Sequence, residues 1–496
     1  MTKPKHFYTN IDINSVVTPF LNSASMEDNI SEKTLYPFVD IYADTQITDV
    51  LFDIFCQYSA TDTAFWSSYA DKFEQKNENG VPVDYYGRFC GIYAFNRRFG
   101  LDPYAVWFRR CREKGLHPWI SIRMNDCHCP DEEAVFLRSD FFYEAYAKGW
   151  MVGDTYGYYR RAFDYSIPAV REKMTGYIAE QLDRYDADGL ELDFSREMIC
   201  FDYLNNSDCA AILNAFMREI KEIVKRAEAR HGHSIRIGVR LMRDIAQNLV
   251  YGMDAVTWVR EKLVDLIAVC PRWASCDSDM PIAVWKAAFP DVEISAGITD
   301  LVHCVPAAIP LSPAVVGGYA LRYLCSGADP VYLFNFFINP KDTGPMTQVY
   351  TEINRTCGAV ETILEKPYRH IVTYQDIAPM GYSPWQPLPV RVTKEPVHLE
   401  IRLGKIPEDR KTALLLGFTE GIPEDIEIAV NGQVYSRWTK CTHGEADADL
   451  PHLFAKNATL YRAQICTPEE AVLRIDMKAI QGEPAAVVSY LEAEVY

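Results

Sequence analysis

The stretch Asp186-Ala-Asp-Gly-Leu-Glu-Leu-Asp-Phe-Ser-Arg-Glu197 decides how the rest of the chain is read. Within it, an apolar run over 189–194 is interrupted by two acids at a spacing of two. Side chains alternate across a strand, so Glu191 and Asp193 face one way and Leu190, Leu192 and Phe194 the other. Two ionisable acids on one face of a buried strand are costly unless they are paired, hydrogen-bonded or used. One reading is a structural salt bridge, such as Glu191 with a neighbouring arginine. The other is a catalytic site at the C-terminal end of a barrel strand, with Arg196 and Glu197 where that strand opens into a loop.

Working outward from this stretch, buried strands alternate with helices. Short apolar runs predict strands over 48–56, 117–126, 189–194, 235–242, 264–270, 292–298 and 329–337. Between them, helices are expected over 102–115 (Pro in its first turn, Gly just past its end), 168–185, 209–231, 255–263, 281–289 and 312–327. Seven strands are clear, and Ala162-Phe-Asp-Tyr165 is taken as a weak eighth. Residues 1–45 read as irregular. Repeated βα units make a parallel sheet. Eight strands, with no Gly-x-Gly-x-x-Gly after the first, favour an α/β fold of the (β/α)8 TIM-barrel type over an open dinucleotide-binding sheet.

From about residue 385 the pattern becomes short alternating strands, including Val397-His-Leu-Glu-Ile-Arg-Leu403 and Ile426-Glu-Ile-Ala-Val430, with the hairpin signal Asn431-Gly432. The expected organisation is a catalytic barrel with an N-terminal extension over 1–383 and a small all-β sandwich over 384–496. The Pro-rich Pro384-Trp-Gln-Pro-Leu-Pro389 is read as the linker.

A (β/α)8 barrel gathers its active site from the C-terminal ends of its strands. The ends read here deliver Arg123, Asn125, Asp126 and His128; Asp164; Glu191, Asp193 and Arg196; Arg240; Arg272 and Trp273; Asp300 and His303; and Asn335. This convergence favours the catalytic reading of 186–197. Carboxylates, amides, arginines and a tryptophan around one pocket suit a carbohydrate, whose hydroxyls need donors and acceptors and whose CH face stacks on an indole. Glycoside hydrolysis uses two carboxyl groups, one protonated and one ionised. Asp193 is expected to be the ionised member, because Arg196 or Arg240 nearby favours the charged form. Glu191 or Glu197 is then the acid, with Glu293 and Asp300 as outlying candidates. Arg123, Asn125, Asp126, His128, Asp164, Arg196, Arg240, Trp273 and Asn335 are the expected substrate contacts. Trp66 and Trp150, in loops, are further subsite candidates, whereas Trp107, Trp258 and Trp285 read as core.

Asp188-Gly-Leu-Glu-Leu-Asp-Phe-Ser-Arg196, with Trp119-Ile-Ser-Ile-Arg-Met-Asn-Asp126, Phe163-Asp-Tyr165 and Tyr332-Leu-Phe-Asn335, resembles the glycoside-hydrolase-like TIM-barrel proteins. These are similar to the family 10-like glycosyl hydrolase group. The resemblance covers about residues 35–340 and implies a barrel enzyme acting on glycosidic bonds. It departs from the chitinase pattern Asp-x-x-Asp-x-Asp-x-Glu, because Ser195 stands where the acid of that pattern would be.

Composition bounds the alternatives. Fifty Lys and Arg against 68 Asp and Glu give a net charge of −18, a surface that repels phosphate backbones and anionic membranes. Neither nucleic acid nor a membrane is an expected partner, and no apolar run is long enough to span a bilayer. The start of the chain shows no signal-peptide core. The 14 cysteines are scattered without a disulfide framework, which fits a cytoplasmic location, though a trimmed export signal is left open. Asp126, Cys127, His128 and Cys129 with His303 lack a fixed metal-ligand spacing, so no metal or other cofactor is expected. Self-association is left open. Two competing readings stand beside glycoside hydrolysis: a metal-dependent sugar isomerase, epimerase or aldolase, and a non-catalytic carbohydrate-binding barrel.

Overall fold

The computed structural model describes residues 4–496 apart from 28, 70–90, 92, 93, 128–137, 273–275, 303–308, 374, 376, 442–457 and 482–485. Eight parallel strands close a barrel: β1 (Tyr8–Ile11), β2 (Asp49–Cys56), β3 (His117–Arg123), β4 (Gly189–Asp193), β5 (Arg236–Leu241), β6 (Leu266–Val269), β7 (Glu293–Thr299) and β8 (Val331–Phe334). They pair in chain order, and β1 closes the ring by pairing with both β2 and β8. Closure leaves no edge strand among the eight.

Seven of these strands match the expectation from sequence, and the eighth does not. The missing strand is Tyr8-Thr-Asn-Ile11, in the region read as irregular, and short helices Thr18–Ala24, Glu32–Leu35 and Pro37–Ala43 connect it to β2. Ala162–Tyr165 is not a barrel strand; it makes one isolated bridge, Phe163 with Met151. The physical reason is that β1 is four residues long and carries no apolar run, so its identity comes from its two neighbours.

The barrel interior is layered. Tyr8, Leu51, Trp119, Leu266, Ala268, Cys270, Tyr332 and Phe334 form a small apolar cluster inside the ring, separate from the larger core. That larger core lies mainly outside, between strands and helices such as Pro168–Arg184 and Cys209–His231. Trp119 fills the lower interior, and its indole N–H donates to Asp49 (2.9 Å). Gly189 and Gly238 sit on the adjacent β4 and β5 where a Cβ would meet this indole. Above the Trp119 level, the inward positions of β1 to β5 turn polar: Asn10, Asp53, Ser121, Arg123, Glu191, Asp193 and Arg240 are all buried.

The C-terminal region is two antiparallel sheets. One contains β9 (Tyr368–Ile371), β10 (Val390–Val392), β12 (Thr412–Glu420), β15 (Thr439–Cys441), β16 (Thr459–Ile465) and β18 (Ala486–Val495). The other contains β11 (Val397–Arg402), β13 (Ile426–Val430), β14 (Gln433–Val434) and β17 (Val472–Ala479). Asn431 and Gly432 turn β13 into β14 with φ of 48° and 79°, the left-handed pair that a tight hairpin requires. The strand β9 joins this sandwich from ahead of residue 384. Among the described residues, no helix is long and apolar enough to cross a membrane.

Gly189→Ala should lower stability by about 1–3 kcal/mol, because the new methyl must displace the Trp119 indole inside a closed ring. Urea unfolding of the variant beside wild type measures this; an unchanged midpoint would mean that Trp119 can move freely.

Candidate active site

Two buried layers occupy the C-terminal half of the barrel. In the lower one, Ser121 Oγ donates to Glu191 Oε2 (2.6 Å), and Asn10 Nδ2 donates to the same oxygen (2.9 Å) and to Ser121 Oγ (3.0 Å). Glu191 is fully covered. Burial, with the charge of Asp193 second, pushes its carboxyl up from 4.5 to about 7, against the pull of Ser121 and Arg240. Tyr332 is its neighbour, yet Glu191 Oε1 and the Tyr332 hydroxyl are each without a normal hydrogen bond.

In the upper layer Asp193 ends β4 and receives four donors. Arg240 Nε and Nη2 reach its two oxygens at 2.8 and 2.9 Å, and the backbone N–H groups of Ser195 and Arg196 add 2.9 and 2.8 Å. Strand alternation aims both ends of this bidentate pair inward from neighbouring strands, with Asp193 opposite Arg240 in the register. The guanidinium lies 3.7 Å from the centroid of Phe334. Neither partner has more than 1% of its side chain exposed, so removing one would leave the other's charge buried and cost about 3–5 kcal/mol.

Beside this pair, Arg123 is surrounded by three carboxylates. It pairs with Asp12, with Asp53 (2.8 Å) and with Asp126 (3.0 Å). Burial holds the Asp53 carboxyl well above the usual range although Arg123 pulls it down. A guanidinium thus stands at the centre of this acidic group. Among the described residues, no set of three or more His, Cys, Asp or Glu is arranged to hold a metal.

The loop after β4 adds a third station. Glu197 is fully buried and takes Arg196 Nη1 at 2.5 Å, the Tyr158 hydroxyl at 3.3 Å and Arg272 Nη2 at 3.4 Å. Arg272 also lies over the rings of Tyr158 and Tyr159, 5.3 and 5.5 Å from their centroids. Tyr158 is 37% exposed and is the most open group here.

The structure therefore brings Arg123, Asp126, Glu191, Asp193, Arg196, Glu197 and Arg240 into one region. Asn125 is buried nearby with its amide committed to backbone: it donates to Phe163 and Ile199 and accepts from Phe163 N–H, clamping two loops. Asp164 receives the N–H of Ser166 (2.8 Å) in the turn after the 151–163 bridge. Asn335 follows β8 at φ 68°, and its Oδ1 is buried without a partner. Asp300 follows β7, and burial pushes its carboxyl up to about 7. Glu293 is at the opposite, N-terminal end of the barrel with Tyr8 and Arg236. Trp66 is core, 7% exposed and packed on Phe55 and Phe141, because its indole N–H is spent on the Gln57 carbonyl. Trp150 packs at the core margin under Lys148. Trp107, Trp258 and Trp285 are fully buried, as expected. His128, Cys129, Trp273 and His303 lie outside the described residues. Sequence reasoning missed Asn10, Asp12, Asp53, Tyr158 and Tyr332. Asp53 was readable from the alternation Asp49, Leu51, Asp53 within β2; Asn10 and Asp12 were not, since their strand went unrecognised.

No protein-family model and no curated protein sequence matches this chain. Similar solved structures include glycoside hydrolases. An α-L-fucosidase isoenzyme 2 from Paenibacillus thiaminolyticus is 10% identical, with 73% of this chain and 49% of that one covered and a TM-score of 0.42. A family 18 N-acetylglucosaminidase from Paenibacillus barengoltzii is 12% identical over 70% of this chain and 100% of its own, at 0.34. A family 36 α-galactosidase from Geobacillus stearothermophilus is 13% identical over 96% and 55%, also at 0.34. This chain spans about half the length of the fucosidase. None is similar enough to carry its activity across.

Glu191 holds a proton in the folded chain at pH values where the unfolded chain gives it up. Its contribution is therefore fully present below about 4.5 and is lost as pH rises through about 7. Glu191→Gln mimics the protonated form, so the variant should match wild type in melting temperature near pH 5 and exceed it near pH 8. Thermal unfolding across that range checks this, and parallel curves would show that Glu191 does not titrate there.

Proposed function

We propose that this chain is a glycoside hydrolase acting on an oligosaccharide or glycoconjugate, of the family 10-like type that its sequence resembles. The observation that carries the reading is the contrast between two carboxyl groups on one face of β4. Asp193 has four donors, two of them from a cationic guanidinium. Glu191, two residues earlier, is pushed up to about 7 by burial and by that neighbour. Hydrolysis of a glycosidic bond asks for this division, one carboxyl ionised against the positive charge that develops on the sugar and one carrying the proton for the leaving oxygen.

In this reading Asp193 is the ionised group and Glu191 the proton-holding one. Glu197, oriented by Arg196 and Arg272, is the third carboxylate, nearest the partly open Tyr158. Arg123 and Asp126 fix the charge balance around the pair. Asp193 is almost wholly covered, so a sugar reaches it by displacing neighbouring side chains. The saturation of Asp193 by its donors favours a second reading, a carbohydrate-binding barrel that turns nothing over.

The test is a screen of wild type, Asp193→Asn and Glu197→Gln against aryl glycosides and plant, mucin and host oligosaccharides, with melting curves to confirm folding. Wild type should release sugar, with the rate falling as pH rises past about 7. Asp193→Asn should lose about a thousandfold or more in kcat/KM. Equal rates in wild type and Asp193→Asn would remove β4 from the chemistry. Sugar binding without turnover by wild type would establish the second reading.

A further inference from the structure

The Pro-rich stretch between barrel and sandwich is docked, not slack. Trp385 N–H donates to Gln375 Oε1 (3.1 Å), and Gln375 N–H donates to the Trp385 carbonyl (2.8 Å). Gln375 Nε2 in turn donates to Gln247 Oε1 (2.8 Å) in the short helix Ile245–Val250 after β5. Met380 N–H reaches the Tyr203 hydroxyl (3.2 Å) in the loop after β4. The Arg243 guanidinium, just past β5, lies 4.8 Å from the Trp385 ring centroid. Hydrogen bonds and a cation–π contact thus fix one indole ring at the rim of the barrel, supplied by the segment that leads into the sandwich.

Trp385 also lines a cavity of about 170 Å³ at the junction of barrel and sandwich. At about 30 Å³ of liquid volume per water, it holds roughly five or six waters, the bulk of one sugar ring. Its other walls include Asp279 from the loop after β6, His370 from β9, and Glu400 and Arg402 from β11. Asp279 accepts from Arg322 (3.0 Å) and from Arg402 (3.3 Å), and Arg402 pairs with Glu400 (2.5 Å). Asp279, Arg402 and Glu400 line the cavity as acid, arginine and acid, while Arg322 on Asp279 and Arg474 on Glu400 (3.8 Å) pair with the acids from outside that lining, so each acid has a cationic partner and donors and acceptors lie side by side. His370 is 2% exposed and its Nδ1 has no hydrogen-bond partner. Burial pushes that imidazole down to about 4, so it is neutral at ordinary pH and carries one donor and one acceptor nitrogen.

We propose that this junction cavity is a binding site for one pyranose unit of a neutral carbohydrate, distinct from the carboxylate centre in the barrel. An aromatic platform, adjacent donor and acceptor groups, acids that are each paired with an arginine and single-ring size are what a neutral sugar selects, and the apolar Val372, Leu399, Ile401 and Leu491 of the same lining offer surface to its CH face. The site rests on carbohydrate as the ligand class of the proposed function but not on hydrolysis. It gives the chain a hold on a unit through residues other than those around Asp193.

Isothermal titration of the full chain with glucose, galactose, mannose, fucose, xylose and N-acetylglucosamine tests it. At least one of these sugars should bind saturably in the millimolar range, with equal affinity in wild type and Asp193→Asn. Trp385→Ala should weaken that binding tenfold or more, Trp385→Phe should keep most of it, and Glu400→Gln, at a partly exposed position, should weaken it several-fold without altering the melting curve. Absence of saturable binding by all six sugars overturns the proposal. So does binding that Trp385→Ala and Glu400→Gln leave unchanged, or a uronate that outcompetes its neutral parent. A silent hydrolysis screen alongside sugar binding that depends on Trp385 would sink the hydrolase reading and leave this one standing.

Discussion

The ion pair between Asp193 and Arg240 is the constraint around which the barrel interior is arranged. A guanidinium with no exposed surface is intolerable without a counter-charge, and Asp193 supplies it from the adjacent strand in a two-pronged geometry. The pair in turn sets the state of its neighbours. Burial first, and then the charge of Asp193 two residues away, keep the proton on Glu191 well above its ordinary range. Phe334, itself part of the apolar cluster inside the ring, lies against the guanidinium.

Such an interior is expensive. Barrels are usually filled by layers of branched apolar side chains, and here the upper layers are carboxylates, arginines and amides. The lower interior offsets this by filling space closely: Trp119 takes the volume that glycines at 189 and 238 give up. Burying this many charges is poor economy for stability alone, since apolar residues of the same volume would hold as well or better. A polar upper layer at the C-terminal end of the strands is instead what a site needs.

The sandwich is joined to the barrel by close backbone approach. Helix Pro313–Cys325 follows β7, and a Cβ at its Gly318 would strike the Arg369 carbonyl of β9. Tyr319 from the same helix donates to the Ile371 carbonyl (2.7 Å). Within the sandwich, Arg369 is neutralised by Glu492, which also takes the Tyr490 hydroxyl. Together with the docked segment around Trp385, these contacts hold the β-domain against the loops after β4 and β5 and the helix after β7.

The sequence by itself determined the periodic part of this protein. Seven barrel strands, the helices between them, the Asn431-Gly432 hairpin and the shared inward face of Glu191 and Asp193 all follow from spacing along the chain, which local sterics convert directly into geometry. It also brought Arg123, Arg196 and Arg240 to the right strand ends. What it left open was decided through space. Tyr8-Thr-Asn-Ile11 is a strand because β2 and β8 lie on either side of it, whereas Ala162-Phe-Asp-Tyr165 makes a single bridge to Met151 and joins no barrel ladder. Which carboxylate Arg240 would take, that Asn125 would clamp loops, that Trp66 would be core, and that Pro384–Pro389 would lie docked against the barrel are likewise facts of closure. Strand alternation is fixed by two residues and can be read from either; a salt-bridge partner is fixed by the order and register of eight strands, which no local stretch contains.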